Sequence, residues 1–208
     1  MKNLPFFTTQ YGVASLTLDQ IPYTRSAYIT IQSTQDPEKL IGECTDFCRA
    51  VGAENVYACN HDSLRQFPLH TDVVEMEAEK KTLPKSSAIL LAVTEESADE
   101  FCRIYNEKMR GVKTAGYMAR SQVSRENAYF VYDNGAMIGI GIIKEDTLCA
   151  VASLRKGAGK DVLCALCQIL DSDVVRLEVA SENRKAVALY NTLGFQQKAV
   201  INSWFKIV

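Results

Sequence analysis

The chain has 208 residues and a formal charge of −2, and 47% of its residues are hydrophobic. This near-neutral charge argues against electrostatic binding of nucleic acid or an anionic membrane, while the hydrophobic content suffices for one large or two small domains. An odd cysteine count of seven, no apolar leader and no apolar run of about 18 residues favour a reducing, cytoplasmic location.

The N-terminal part combines short strands with one helix. Asp36 is a helix cap, Pro37 suits the first helical position, and Gly52 follows the helix. The apolar stripe of this helix consists of Leu40, Cys44, Phe47, Cys48 and Val51. Strand composition marks residues 12–18, 27–32, 54–60 and 72–79.

A domain boundary is predicted at residues 82–88, TLPKSSA, because a proline stands there within a small polar cluster. We therefore expect an N-terminal α/β domain over residues 1–86 and a second domain over residues 87–208. The exposed C-terminal strand, AVINSWFKIV, offers two alternatives: pairing with a second copy in a homodimer, or burial in the sheet of its own chain, which is the simpler expectation.

The second domain begins with the apolar strand AILLAV, after which Thr94 is predicted to cap a helix. The buried face of this helix consists of Ala98, Phe101, Cys102, Tyr105 and Met109. A hairpin follows with Asn134-Gly135 as its turn. Gly139 and Gly141 alternate along its second strand, where they either clear room for a ligand or partner chain or allow close packing.

Residues 149–195 read as strand, glycine loop, helix, strand and helix. Gly157 and Gly159 let the backbone turn tightly, and the helix behind them presents unpaired N–H groups that attract phosphate. Asn183 is predicted to cap the last helix and Gly194 to end it in a left-handed conformation.

This segment, with LEVASEN followed by KAVALYNTLGF, resembles the acyl-CoA-binding core of the GCN5-related N-acetyltransferases (GNATs). The resemblance implies a mixed α/β GNAT fold in which two parallel strands splay apart around acetyl-CoA. The residues that it assigns to the co-substrate are Cys149, Val151, Arg155, Lys156, Gly157, Ala158, Gly159, Lys160 and Asn183. Leu154 departs from the family pattern, which has Gln or Arg there.

The resemblance also implies transfer of an acetyl group to a primary amine on a small molecule or protein. Tyr190 matches the general acid that protonates the departing thiolate. The alternative is a purely structural role as a tyrosine of the core. For the base we prefer Glu178 over Glu145 and Asp146, although each also reads as a structural carboxylate. For Asn183, capping alone is a sufficient explanation.

Other interpretations stay open. Leu154 and the lack of a convincing base favour a non-catalytic, regulatory acyl-CoA-binding module. A dinucleotide-binding oxidoreductase is a weaker alternative, because the glycine pattern is incomplete. The first domain is either a degenerate GNAT-like repeat without a phosphate loop or an ordinary α/β extension.

The remaining cysteines are interpreted as structural. Cys164 and Cys167 form a CxxC in mid-helix, where small buried hydrophobes are expected rather than a redox pair. Cys44 and Cys48 are likewise one turn apart on an apolar face. With only two histidines in the chain, no metal site is expected.

Overall fold

The computed structural model describes residues 6–113 and 115–208. The chain divides into two compact units: unit 1 extends to Val73 and includes Val200–Val208, and unit 2 is Val74–Ala199. The C-terminal nine residues thus belong with the N-terminal part by contact density. The predicted domain ranges, 1–86 and 87–208, stay a prediction.

The elements follow the sequence pattern closely in most places. The helices are α1 (Ile21–Thr24), α2 (Pro37–Ala50), α3 (Ala98–Lys108), α4 (Gly159–Gln168) and α5 (Arg184–Thr192). The strands are β1 (Phe6–Thr9), β2 (Gly12–Thr17), β3 (Ser26–Thr34), β4 (Asn55–Cys59), β5 (Leu69–Glu79), β6 (Ile89–Ala92), β7 (Ala128–Asp133), β8 (Ala136–Lys144), β9 (Thr147–Ser153), β10 (Val174–Ala180) and β11 (Gln196–Lys206). Short 3-10 turns span Asp62–Gln66, Lys80–Thr82 and Arg120–Gln122.

In unit 1 the strand order is β1-β2-β3-β4-β11. Strands β3 and β4 are parallel and joined by α2, and they pair continuously from Ser26–Asn55 to Thr30–Cys59. The C-terminal strand pairs antiparallel with β4, with Phe205 opposite Ala58. This segment therefore pairs within the sheet of its own chain, although Val200 and Ile201 are 52% and 38% exposed, and pairing with a second copy stays a prediction.

Helix α2 begins as predicted, because the Asp36 side chain accepts a hydrogen bond of 3.2 Å from the Lys39 amide. Leu40, Cys44 and Cys48 are fully buried. The predicted stripe was wrong at Phe47 and Val51, which are 38% and 45% exposed. They lie at the margin of the buried stripe, which turns instead toward Ile41 and Thr45.

In unit 2 the strand order is β5-β10-β9-β8-β7-β6. Helices α4 and α5 pack on one face over a core that includes Leu163, Leu166 and Leu177. Helix α3 packs on the other face around Phe101 and Phe130. The sheet of unit 2 is therefore covered on both faces.

Helix α3 starts later than the sequence suggested. Its N-cap is Ser97 rather than Thr94, and Asp99 and Glu100 occupy its first turn. The Ser97 hydroxyl instead accepts a hydrogen bond of 2.9 Å from the Thr94 amide, which closes a turn before the helix. The prediction of Thr94 as the cap was therefore wrong, because this local turn competes with helix initiation.

The glycines of β8 allow close packing of a helix. A Cβ at Gly139 would lie 2.8 Å from Val162 Cγ1, and one at Gly141 would lie 2.7 Å from Leu166 Cδ2. Both contacts come from α4, so its buried face sits directly on the β8 backbone. The sequence left open whether these glycines make room for a ligand or allow close packing, and the structure shows close packing against α4.

Within residues 6–113 and 115–208, no helix combines the length and apolar character needed to cross a bilayer. The same residues contain no cluster of three or more His, Cys, Asp or Glu side chains arranged to hold a metal ion. Cys164 and Cys167 are 2% and 1% exposed in α4 and form no disulfide, so their interpretation as core residues is confirmed.

Candidate active site

The parallel strands β9 and β10 stay together only briefly. In the described chain they pair at Thr147–Arg176 and Leu148–Leu177, and no pairing continues beyond Leu148. The register between β8 and β9 shifts at this point, because Leu148 lies opposite Ile143 and Ala150 lies opposite Ile142. Cys149 is thus the extra residue of a β-bulge, and the opening between the strands begins there.

The bulge prepares the backbone of β9 for a ligand. Beyond Cys149 the strand is bonded to β8 on one side, while alternate amide and carbonyl groups turn toward the side that β10 has left. Cys149 and Val151 were the residues predicted to hold an extended ligand arm by their backbone. Their position in the opening suits that role.

The bulge also decides which side chains face α3. Leu148 belongs to the core under α4, whereas Ala150 packs with the α3 core. Glu178 is exposed and alternates along β10 with Leu177 and Val179, which face α4 and α5. Glu178 therefore lies on the α3 face of the sheet.

Electrostatic interactions connect the side chains on the α3 face. Burial and the nearby Glu178 carboxylate raise the pKa of the Cys149 thiol, and Lys144 partly opposes this rise. Burial, and then Cys149, raise the pKa of the Tyr105 phenol on α3. Cys149 therefore interacts electrostatically with both Glu178 and Tyr105.

Tyr190 lies on the opposite face of the sheet. It is 9% exposed in the core under α4 and α5, and its ring centroid lies 5.8 Å from that of Phe195. Burial, and then Cys167, raise the pKa of its phenol to about 12. The two predicted catalytic side chains, Tyr190 and Glu178, thus lie on opposite faces of the sheet.

The glycine loop has the conformation that its sequence predicts. Gly157 has φ of +87°, a left-handed value that favours glycine, and a Cβ at Gly159 would lie 3.2 Å from Leu189 of α5. Ala158 is the N-cap of α4 and supplies no side-chain cap. The first amides of the ten-residue α4 are therefore available to an anion.

The charged side chains of the loop divide into two groups. Arg155 is 51% exposed and forms an ion pair of 3.0 Å with Asp133, so its charge is partly compensated. Lys156 and Lys160 are exposed at the loop and the first turn of α4. Leu154 packs against the α3 core and takes no part in the charged surface.

Asn183 caps α5 as predicted, because its Oδ1 accepts a hydrogen bond of 3.3 Å from the Ala186 amide. Gly194, with φ of +92°, ends the region in the left-handed conformation expected for a helix stop. The structure therefore shows Asn183 as a helix cap, and its contact with a ligand stays a prediction.

An ionic cluster that the sequence analysis missed holds β10 in place before the opening. Arg176 Nε lies 2.7 Å from Glu77 Oε1 of β5, and its Nη1 pairs with Asp146. The Arg176 amide also donates to the Asp146 carbonyl oxygen at 3.0 Å. Asp146, one of the alternative bases, thus has a structural partner, and only the strand register brings these residues together.

Comparisons with known proteins identify the fold. No protein-family model matches the sequence, and no curated protein matches it. A GCN5-related N-acetyltransferase from Kribbella flavida is 14% identical with a TM-score of 0.61, covering 98% of this chain and 88% of its own. A tandem GNAT protein from the clavulanic acid biosynthesis pathway is 13% identical with a TM-score of 0.57, covering 94% of this chain and 78% of its own.

A conserved protein of unknown function from Staphylococcus epidermidis is 12% identical with a TM-score of 0.62, covering 99% of this chain and 94% of its own. At these identities the likeness shows the fold. The predicted mixed α/β GNAT fold is confirmed, while a repeat relationship of the N-terminal part stays a prediction.

Proposed function

We propose that the protein is an acetyl-CoA-dependent N-acetyltransferase that transfers an acetyl group to a primary amine. The observation that carries this proposal is the opening between β9 and β10 at the Cys149 bulge. The opening is continuous along β9 with the glycine loop, and Glu178 and Tyr190 lie on opposite faces of the same sheet.

The residues suit a co-substrate that carries phosphate at one end and a thioester at the other. The amides at the start of α4, with Lys156 and Lys160, would hold the pyrophosphate. The free backbone groups of β9 from Cys149 to Val151 would bond the pantetheine arm in the manner of an added strand. This places the thioester at the bulge.

The chemistry is direct attack of the amine on the thioester carbonyl carbon. Glu178 accepts the proton that the amine loses, directly or through water. Backbone amides of β9 near Cys149 donate to the carbonyl oxygen as it becomes negative. Tyr190, which burial keeps protonated, gives its proton to the departing sulfur.

The test is release of the CoA thiol from acetyl-CoA in the presence of a panel of primary amines. Tyr190→Phe should lower kcat by roughly 10²- to 10⁴-fold, the usual contribution of a general acid. Tyr132→Phe, the same change in the α3 core on β7, is the matched control and should keep full activity. Full activity of Tyr190→Phe would remove Tyr190 from the acid role.

A second candidate is a non-catalytic acyl-CoA-binding module. It is favoured by Leu154, which packs in the core instead of contacting phosphate, and by the ion pair that ties Arg155 to Asp133. This candidate predicts binding of CoA without turnover of any amine. The same panel therefore separates the two proposals.

A further inference from the structure

Tyr105 is a largely buried tyrosine to which the proposed mechanism has so far given no role. It lies in the last part of α3 and is 6% exposed. It packs in the same core as Phe101 and Ala150. The hydroxyl has no hydrogen-bond partner among residues 6–113 and 115–208, yet it is not fully enclosed, since Thr45 Oγ1 is the only fully buried side-chain nitrogen or oxygen in those residues that lacks a partner. The Tyr105 oxygen is therefore accessible to a small ligand atom.

The β-bulge brings Tyr105 to the opening. Ala150, which follows the extra residue Cys149, packs its side chain in the α3 core. Tyr105 packs in the cluster that Ala150 contacts and interacts electrostatically with Cys149. Tyr105 thus lies on the same face of the sheet as Ala150 and within electrostatic range of Cys149, where β9 and β10 separate.

The chemistry of this hydroxyl is that of a donor. Burial raises the pKa of the phenol, so it stays protonated at neutral pH and cannot serve as a base. We infer that Tyr105 donates a hydrogen bond to the carbonyl oxygen of the thioester from the α3 face. This inference rests on the proposed function and adds a side-chain donor to the backbone amides of β9.

Every bond and proton of the transfer is accounted for when Tyr105 acts only as a hydrogen-bond donor. The amine nitrogen forms a bond to the carbonyl carbon, and its proton goes to Glu178. The carbon–sulfur bond breaks, and the sulfur takes a proton from Tyr190. Tyr105 keeps its own proton throughout and stabilises the negative oxygen by hydrogen bonding.

Tyr105→Phe tests this role, because it removes the hydroxyl and keeps the ring in the core. We expect kcat for acetyl transfer to fall about 100-fold, as for the loss of one donor to an oxyanion, with a smaller rise in KM for acetyl-CoA because the donor also bonds the ground-state carbonyl oxygen. Tyr132→Phe is again the matched control, since it removes a hydroxyl from the same core on β7. Unfolding midpoints of both variants verify that the fold is retained.

Calorimetric titration with acetyl-CoA and with free CoA provides a readout that needs no turnover. Only acetyl-CoA has the carbonyl oxygen, so Tyr105→Phe should weaken binding of acetyl-CoA and leave binding of CoA unchanged. If the wild-type protein binds both ligands without turnover, the proposed transfer fails while this difference still decides the role of Tyr105.

Two results would overturn the inference. One is a Tyr105→Phe variant that retains both wild-type kcat and the wild-type ratio of the two affinities. The other is a wild-type protein that shows neither turnover nor any difference between acetyl-CoA and CoA.

Discussion

At the scale of single residues, the environment of Tyr190 leads to a prediction about pH. Burial raises the pKa of this phenol to about 12, above the ordinary tyrosine value of about 10. A general acid works only while protonated, and a raised pKa extends its protonated range to higher pH. We expect kcat to rise as the amine loses its proton and then to stay level through about pH 10.

The measurement is kcat against pH, with circular dichroism at each pH to confirm that the protein remains folded. A decline with an apparent pKa near the ordinary tyrosine value would show that Tyr190 in the working enzyme is not in the buried state described here. Tyr190→Phe is the control, because its residual rate should lack any alkaline limb that belongs to this phenol.

The role of a residue could be predicted from the sequence where it depends on neighbours within one helical turn. Asn183 and Gly194 act within one turn of their own helix, so their caps were predictable. The tyrosine on α3 was predicted only as part of a buried face. Its neighbour Cys149 comes from a bulge 44 positions away, which no local pattern announces. The cluster around Arg176 was missed for the same reason.

At the scale of elements, the contact between β8 and α4 supports the glycine loop. Gly141→Ala would bring a Cβ within 2.7 Å of Leu166 Cδ2, so α4 or β8 must shift. We expect a loss of about 1–3 kcal/mol in the free energy of unfolding, the usual cost of overpacking a core. Chemical denaturation measures this loss.

Gly42→Ala is the matched control for that substitution. Gly42 lies in α2, where an added Cβ meets nothing within 4 Å, so alanine should raise stability by roughly 0.5–1 kcal/mol. If Gly141→Ala were as stable as the wild-type protein, the close approach of α4 to β8 would be wrong.

Elements were predictable where short-range chemistry decides them. The Asn134-Gly135 turn has φ of 50° and 76°, as its hairpin signal requires, and Asp36 begins α2 as expected. The start of α3 was not predictable from Thr94, because a turn closed by Ser97 competes with the helix. The parting of β9 and β10 was implied only by family resemblance, since strand pairing depends on tertiary register.

At the scale of the whole molecule, a difference between the two parallel strand pairs predicts how many acetyl-CoA molecules bind per chain. In unit 1, β3 and β4 pair without interruption over five residues, whereas β9 and β10 in unit 2 part after two. The start of α2 carries Asp36 and Glu38, which repel phosphate. We therefore expect one acetyl-CoA per chain, measured as the molar ratio in calorimetric titration. A ratio of two would contradict this difference.

The most direct test is the unfolding midpoint of the wild-type protein with acetyl-CoA, CoA and NADH added separately. A ligand that binds only the folded state stabilises it by about 2.7 kcal/mol at a hundredfold excess over Kd. We predict a higher midpoint with acetyl-CoA and with CoA and no change with NADH. An unchanged midpoint at saturating acetyl-CoA would contradict the assignment of the opening at Cys149 to acyl-CoA.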